Sequence, residues 1–419
     1  MSKEQLARDV VGAVDAMRDE LLGVSHRIHG EPELALEEFK AAETLAAAVE
    51  GHGIAVQREA FGLPTAYAAE FGKDGGAPTV AILSEFDALP GIGHACGHNI
   101  IAAAGLGAAI ALSKLNGRLP GRVRYLGTPA EERFGGKEFM ARAGAFERVD
   151  AAMMIHPAAH NLVTMRALAC TDVDVTYIGR TAHASSSPHL GLNALDAVVT
   201  AYQSIAQLRQ HIMSSERIHG IITEGGLAPN IVPERAACRF MIRAPNADAL
   251  AALKRRVQAC FEAGALATGC RLEAQWGATD YLDLNTNWPM AAAFERNAQG
   301  LGSAFFPIKD LPPGQAASTD MGNVSHRVPS IHPILAVAPV GVPNHNPEFT
   351  RYAASPRGDQ AVIDGAKALA LTALDLMLDS ATMEAVRGDF AATSAESLKA
   401  LGTLHDHGHG AHHAGCGCA

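Results

Sequence analysis

A chain of 419 residues with 48% apolar and 19% charged residues is long enough for two or three packed cores, two being the working number, and lacks the composition of a disordered protein. Its 34 basic against 44 acidic residues leave a formal charge of −10, which argues against nucleic acid or an anionic membrane as the main partner and leaves small molecules or other proteins. The seven cysteines, odd in number and spread over a large chain, read as reduced thiols rather than as a disulfide framework.

The opening MSKEQLARDVVGAVDAMRDELLG reads as an amphipathic, charged helix without the apolar core of a signal sequence. No stretch reaches the roughly 18 apolar residues of a membrane span, so we expect a cytoplasmic protein. PTVAILSEF (78–86) is a short apolar run bounded by Pro78 and the turn-prone DALPGIG, and predicts a buried strand. IIAAAGLGAAIALSKLN (100–116) has helix length and alanine richness despite its glycines, and ends at an Asn-Gly stop. GRVRYLGT (121–128) and DAAMMI (150–155) are again strand-like, with room for a helix between them. Strands alternating with helices predict an α/β fold whose mostly parallel sheet carries helices on both faces.

The pattern changes near Cys170. TDVDVTYIG, IHGIITEGG and ERAACRFMIRAP alternate with period two, and helical stretches fall near 193–210 and 246–264. This predicts an α+β unit over 168–282, inserted into a catalytic domain formed by 1–167 and 283–380. Parallel-sheet character returns at SIHPILAVAPVG (330–341), followed by a helix near 358–379. Residues 381–419 form a C-terminal extension ending in HDHGHGAHHAGCGCA, a flexible His/Cys-rich tail whose chemistry is metal capture.

The stretch GHACGHN (93–99) packs two histidines and a cysteine into seven positions. In an open α/β sheet, functional groups gather beyond the carboxyl ends of the strands. Cys96 and His98 follow the strand 78–86, Glu131 and Glu132 follow 121–128, His156 follows 150–155, and His345 follows the strand near 334–340. Singly, each has an ordinary structural reading: a small apolar filler, a satisfied histidine, a solvated charge. Together they offer one thiolate, three imidazoles and two carboxylates, a mixture suited to zinc, manganese, cobalt or nickel. That is too many ligands for one tetrahedral ion with an open position, and two ions share them better. In the EE pair one carboxylate would bind metal while its neighbour moves protons.

These residues resemble those of the dinuclear metallopeptidases and aminoacylases, metallopeptidase family M20. The similarity runs through HRIHGEPELALEEFKAAETL, SEFDALPGIGHACGHN, TPAEE, IHP, GRTAHASSSPHLGLNALDA, APNIVPERAACRFMIR, STDMGNVSHRVPSIHP and NHNPEF, nearly everything except the tail. DALPG and HACGHN look most like the subgroup of aminobenzoyl-glutamate hydrolase, the indole-acetyl-amino-acid hydrolases and the β-alanyl-dipeptide dipeptidase-like proteins. There a cysteine takes a metal position. The His-x-Asp of other branches is here Glu85-Phe86-Asp87, so Asp87 takes an orienting role.

The resemblance implies Cys96, His98, Glu132, His156 and His345 as ligands of two divalent ions per subunit, manganese or zinc first, cobalt or nickel next. It implies Glu131 as general base and the inserted unit as a lid and dimerisation domain, in a homodimer or an oligomer of dimers. His183 would reach the neighbouring subunit's site and stabilise the oxyanion. Asn230 and Arg243 would hold a carboxylate or carbonyl of the substrate, with Ser318, Thr319 and Asp320 lining the pocket. The activity implied is hydrolysis of the C–N amide bond of a small, carboxylate-bearing N-acyl amino acid, aminobenzoyl-glutamate-like compound or dipeptide. Two other readings remain open from the residues: hydrolytic deamination of an activated aromatic amine at the same centre, and metal buffering through the tail.

Overall fold

The computed structural model describes residues 2–73, 76–311 and 316–404. The His/Cys-rich tail from 405 onward lies outside the described residues. The chain divides into a larger unit, Met1–Ala169 with Tyr281–Ser394, and a smaller one, Cys170–Asp280 with the stretch from Ala395.

The larger unit is built on a six-stranded sheet. Its order is Val56–Arg58, Tyr67–Gly72, Arg122–Gly127, Thr79–Ser84, Ala151–Met153 and Ser330–Ile331. Thr79–Ser84 runs parallel to both of its neighbours, and Ala151–Met153 runs parallel to Ser330–Ile331. The first two strands join antiparallel at one edge. Thr79–Ser84 is buried from Val80 to Ser84, which is why it is a continuous apolar run rather than an alternation.

The helix His98–Ser113 lies against this sheet and is buried from His98 to Leu112. Its glycines mark close approach: a Cβ on Gly105 would stand 2.3 Å from Ser84 Oγ. Lys3–Ala16, Arg18–Gly30 and Pro356–Leu378 pack around it. The 330–341 region, where a strand is expected near 334–340, forms two short pieces, Ser330–Ile331 and Ile334–Ala336. The second leaves the main sheet and pairs in parallel with His156–Ala158.

The smaller unit has a four-stranded antiparallel sheet ordered Arg271–Trp276, Ala169–Ile178, Arg235–Ala244 and Arg217–Glu224. The helices Ala194–Leu208 and Ala247–Thr268 pack together and on Arg235–Ala244. Alternating burial along Arg235–Ala244 gives the period-two pattern. The helix Ser380–Ala392 belongs to the larger unit. No helix among the described residues is long and apolar enough to cross a membrane.

Candidate metal centre

Three strand ends and two loops of the larger unit deliver the candidate ligands. After Thr79–Ser84 the chain places Glu85 and Asp87 in buried positions, then turns through DALPGIG to Cys96. Gly97, which caps the helix from His98, has φ 80°, and a Cβ there would meet Pro157 Cγ at 2.5 Å. Only glycine allows the turn and the close approach together, and this presses Cys96 and His98 toward His156.

The segment after Arg122–Gly127 is held as tightly. Ala130 and Phe134 both have positive φ, uncommon for residues with side chains. The Ala130 N–H donates to Glu38 Oε1 at 2.8 Å, and Tyr281 Oη donates to the Glu131 carbonyl at 2.6 Å. His345 is also left-handed, at φ 61°, with its N–H donating to Ala95 O at 2.9 Å. Strain of this kind persists where the surroundings fix it, and here it aims a side chain at the cluster.

Cys96 Sγ stands 3.4 Å from His156 Nε2, and His345 Nε2 stands 3.3 Å from Glu132 Oε2. Two groups of possible ligands share the thiol: Cys96, His98 and His156, and Cys96, Glu132 and His345, each with its donor atoms within 4.8 Å of one another. A third, Glu85, His98 and Glu131, shares His98 and is wholly buried. His98 Nε2 is the hub, 3.5 Å from Glu85 Oε2, 3.8 Å from Glu132 Oε1 and 3.9 Å from Glu131 Oε2.

Asp87 fixes the hub. Its Oδ1 accepts from His98 Nδ1 at 2.9 Å and its Oδ2 from the Glu132 N–H at 2.8 Å. A carboxylate on one imidazole nitrogen turns the other toward a metal. Glu85 Oε2, His98 Nε2 and Glu132 Oε1 are all buried and without a hydrogen-bond partner. Buried polar atoms are almost always satisfied, so three converging orphans fit a cation-binding pocket.

The electrostatics point the same way. Burial, then the Glu85 and Glu132 charges, raise the Glu131 carboxyl well above its usual range. Burial and Glu132 likewise push the Cys96 thiol up. For His98 burial acts downward, but Asp87 and Cys96 prevail and raise the ring well above its usual value. The pocket thus favours positive charge at Nε2, which a proton or a metal ion can supply.

His183, Asn230 and Arg243 lie on the smaller unit. His183 is exposed, and its Nδ1 accepts from the N–H groups of Ser185 and Ser186 at 3.2 and 3.1 Å. That pattern puts the ring proton on Nε2. Asn230 is exposed, its carbonyl accepting from the Ala184 N–H, and Arg243 reaches Met241 Sδ at 3.2 Å. In the larger unit the Ser318 hydroxyl donates to Leu168 O, and Thr319 is buried with its hydroxyl accepting from the Met321 N–H.

Sequence reasoning passed over Glu85, Lys137 and His332. Lys137 is fully buried between Glu85 and Asp320, and the His332 ring lies 5.4 Å from that of His156. Glu85 had a signal, its place just beyond a buried strand's carboxyl end. Lys137 in GGKEFM reads as an ordinary helical surface lysine.

The family model for peptidase family M20/M25/M40 matches residues 81–375, spanning both halves of the larger unit and the smaller unit between them. An Xaa-Arg dipeptidase of Mus musculus is 40% identical over 400 residues, covering 92% of each chain. A p-aminobenzoyl-glutamate hydrolase chain of Escherichia coli is 30% identical, covering 91% of this chain and 94% of its own. A dinuclear metal-binding peptidase of the M20 family from Bacillus subtilis shares the fold at a TM-score of 0.65 and 20% identity, over 87% of this chain and 99% of that one. The chain therefore belongs to peptidase family M20/M25/M40 and is a metal-dependent amidohydrolase.

Proposed function

We propose that the protein hydrolyses the amide of a dipeptide or related N-acyl amino acid carrying a free carboxylate, at a centre of two divalent ions held by Cys96, His98, Glu132, His156 and His345. The observation that carries this reading is the convergence of these side chains on Cys96 and His98, with Glu131, a buried carboxylate, next to the ligand carboxylate Glu132. Bound there, the ions would acidify a water and polarise the scissile carbonyl.

Glu131 takes the water's proton and passes it to the departing nitrogen, a task suited to a carboxyl whose pKa its surroundings raise. Asp87 holds His98 in the tautomer that ligates. His183, with Nε2–H as its free donor, serves the oxyanion in a homodimer. Arg243 and Asn230 take the substrate's carboxylate or carbonyl, and Ser318 and Thr319 line its pocket.

The homodimer reading is supported by the outer strand of the smaller sheet, Arg217–Glu224, which exposes Ile221 at 63% and Ile222 at 45%. An apolar sheet edge of this kind is a surface for strand pairing. None of the five described cysteines is in a disulfide, which suits a reducing cytoplasm. Manganese and zinc are the first candidates, with cobalt and nickel next. The dipeptidase and aminobenzoyl-glutamate relatives direct the substrate panel.

The test is to strip the protein of metal, reconstitute it with each of the four ions, and assay Xaa-Arg dipeptides, other dipeptides, N-acyl amino acids and aminobenzoyl-glutamate. Stoichiometric release of amine and acid, abolished by chelation, is expected. Release of ammonia from an aromatic amine without acyl cleavage would overturn the reading.

A further inference from the structure

Glu85 occupies an unusual position. It is fully buried, and its two oxygens have different fates. Oε1 receives the Lys137 ammonium, itself fully buried and also donating to Asp320 Oδ1 at 2.6 Å. Asp320 is used on both sides, because its Oδ2 accepts from the Lys137 N–H at 2.9 Å. Lys137 and Asp320 are thus tied to one another by two bonds, and the ammonium is anchored where it can hold one oxygen of Glu85 still.

Oε2 of Glu85 has no hydrogen-bond partner and faces His98 Nε2, equally without one, at 3.5 Å. A carboxylate recruited only to pair with Lys137 gains nothing by burying its second oxygen unsatisfied, which is costly, and more so for a charged group. Because Asp87 accepts from Nδ1, a neutral His98 ring presents its Nε2 lone pair to the Glu85 lone pairs. Two such atoms at this distance repel unless a positive charge lies between them. A divalent ion at its usual ligand distance of about 2.1 Å from each can span the gap.

From this geometry we propose that Glu85 is a further metal ligand, sharing through Oε2 the ion held by His98, and that Lys137 and Asp320 are positioning residues that aim it. This rests on the metal-centre reading above and adds a sixth protein ligand to it. Glu85 is also a negative neighbour of Glu131.

The test uses full-length protein stripped of metal and titrated with cobalt(II), following both stoichiometry by competition with a chromogenic chelator and the thiolate-to-cobalt charge-transfer band contributed by Cys96. Glu85→Gln keeps the shape and can still accept from Lys137 while losing the ligating charge. Glu85→Asp keeps the charge but withdraws it by one methylene, and serves if the glutamine variant fails to fold.

In wild type, two bound ions and the charge-transfer band are expected. In either variant the band is expected to persist while one ion binds at least 10-fold more weakly. Wild-type affinity for both ions in a folded Glu85 variant overturns the ligand assignment and leaves the metal-centre reading standing. Absence of the band and of stoichiometric binding in wild type overturns both. Lys137→Gln is expected to weaken the same ion as Glu85→Gln, and weakening of the other ion alone would overturn the positioning role.

Discussion

Asp87→Asn changes one charge and two hydrogen bonds at once. The carboxylate accepts from His98 Nδ1–H through one oxygen and from the Glu132 backbone N–H through the other. An asparagine has one oxygen for these two donors. The backbone amide cannot stop donating, so the amide oxygen goes to Glu132 and the NH2 turns to His98 Nδ1. The ring must then accept at Nδ1 and carry its proton on Nε2, the atom that faces Glu85, Glu131 and Glu132. A protonated Nε2 cannot ligate.

Loss of a partner behind a metal-bound histidine costs roughly 10- to 100-fold in affinity, or about 1.4 to 2.8 kcal/mol. Losing a hydrogen bond to a charged group is worth roughly 1.5–3 kcal/mol on its own, so the forced tautomer places the expectation at the upper end. Competition titration against a chelator measures the affinity, and kcat at saturating metal should recover in part. Asp87→Ala, which imposes no tautomer, should bind metal at least as well as the asparagine variant. Wild-type affinity in Asp87→Asn would refute the idea that Asp87 sets the proton on His98.

Glu131→Gln should lower turnover by roughly 10²- to 10⁴-fold with metal content unchanged, and ordinary rates in that variant would remove Glu131 as the base. Cys96→Ala should lower metal content together with activity, because the thiol belongs to two of the three ligand groups; full occupancy by elemental analysis would take it out of the centre. His94, buried in the loop beside Cys96, gives a pH-dependent expectation. Burial, then the neighbouring His98, hold its folded pKa at about 3, while the unfolded ring titrates near 6.5. A depressed histidine keeps its contribution above about pH 6.5 and loses it as pH falls toward 3, so between pH 7 and 5 wild type should lose about 2 kcal/mol relative to His94→Asn. Urea melts of the two metal-free proteins at both pH values check this, and a gap that does not move with pH would count against it.

The fold class was legible because hydrophobic period reports burial directly. Thr79–Ser84, buried on both faces, is a continuous apolar run, and Arg235–Ala244, solvated on one face, alternates. The helix His98–Ser113 was legible from its alanines, while its glycines made sense only once Gly105 was seen against Ser84. The strand expected near 334–340 is present but short, Ile334–Ala336, and nothing in SIHPILAVAPVG announces that it pairs outside the main sheet. At the site, motif-bearing residues such as Cys96 and the EE pair could be found from their places at strand ends. Lys137 could not, because a lysine's burial depends on carboxylates 52 and 183 positions away.

Those distant partners bear on how many ions the centre can hold. From sequence, the number two came from counting ligands against coordination positions. The structure supplies an independent count. Glu85, Asp87, Glu131, Glu132 and Asp320 bring five carboxylates into one buried cluster, and Lys137 is the ammonium set among them. With the Cys96 thiolate of the proposed centre counted, full ionisation leaves five formal negative charges in a region where an uncompensated charge costs several kcal/mol. A single divalent cation would leave three of them standing. Two divalent cations would leave one, which a proton on Glu131 offsets, in keeping with the proton-carrying role proposed for it. The Lys137 pair is therefore more than scaffolding: by offsetting one carboxylate, it sets the charge that the metal ions have to complete.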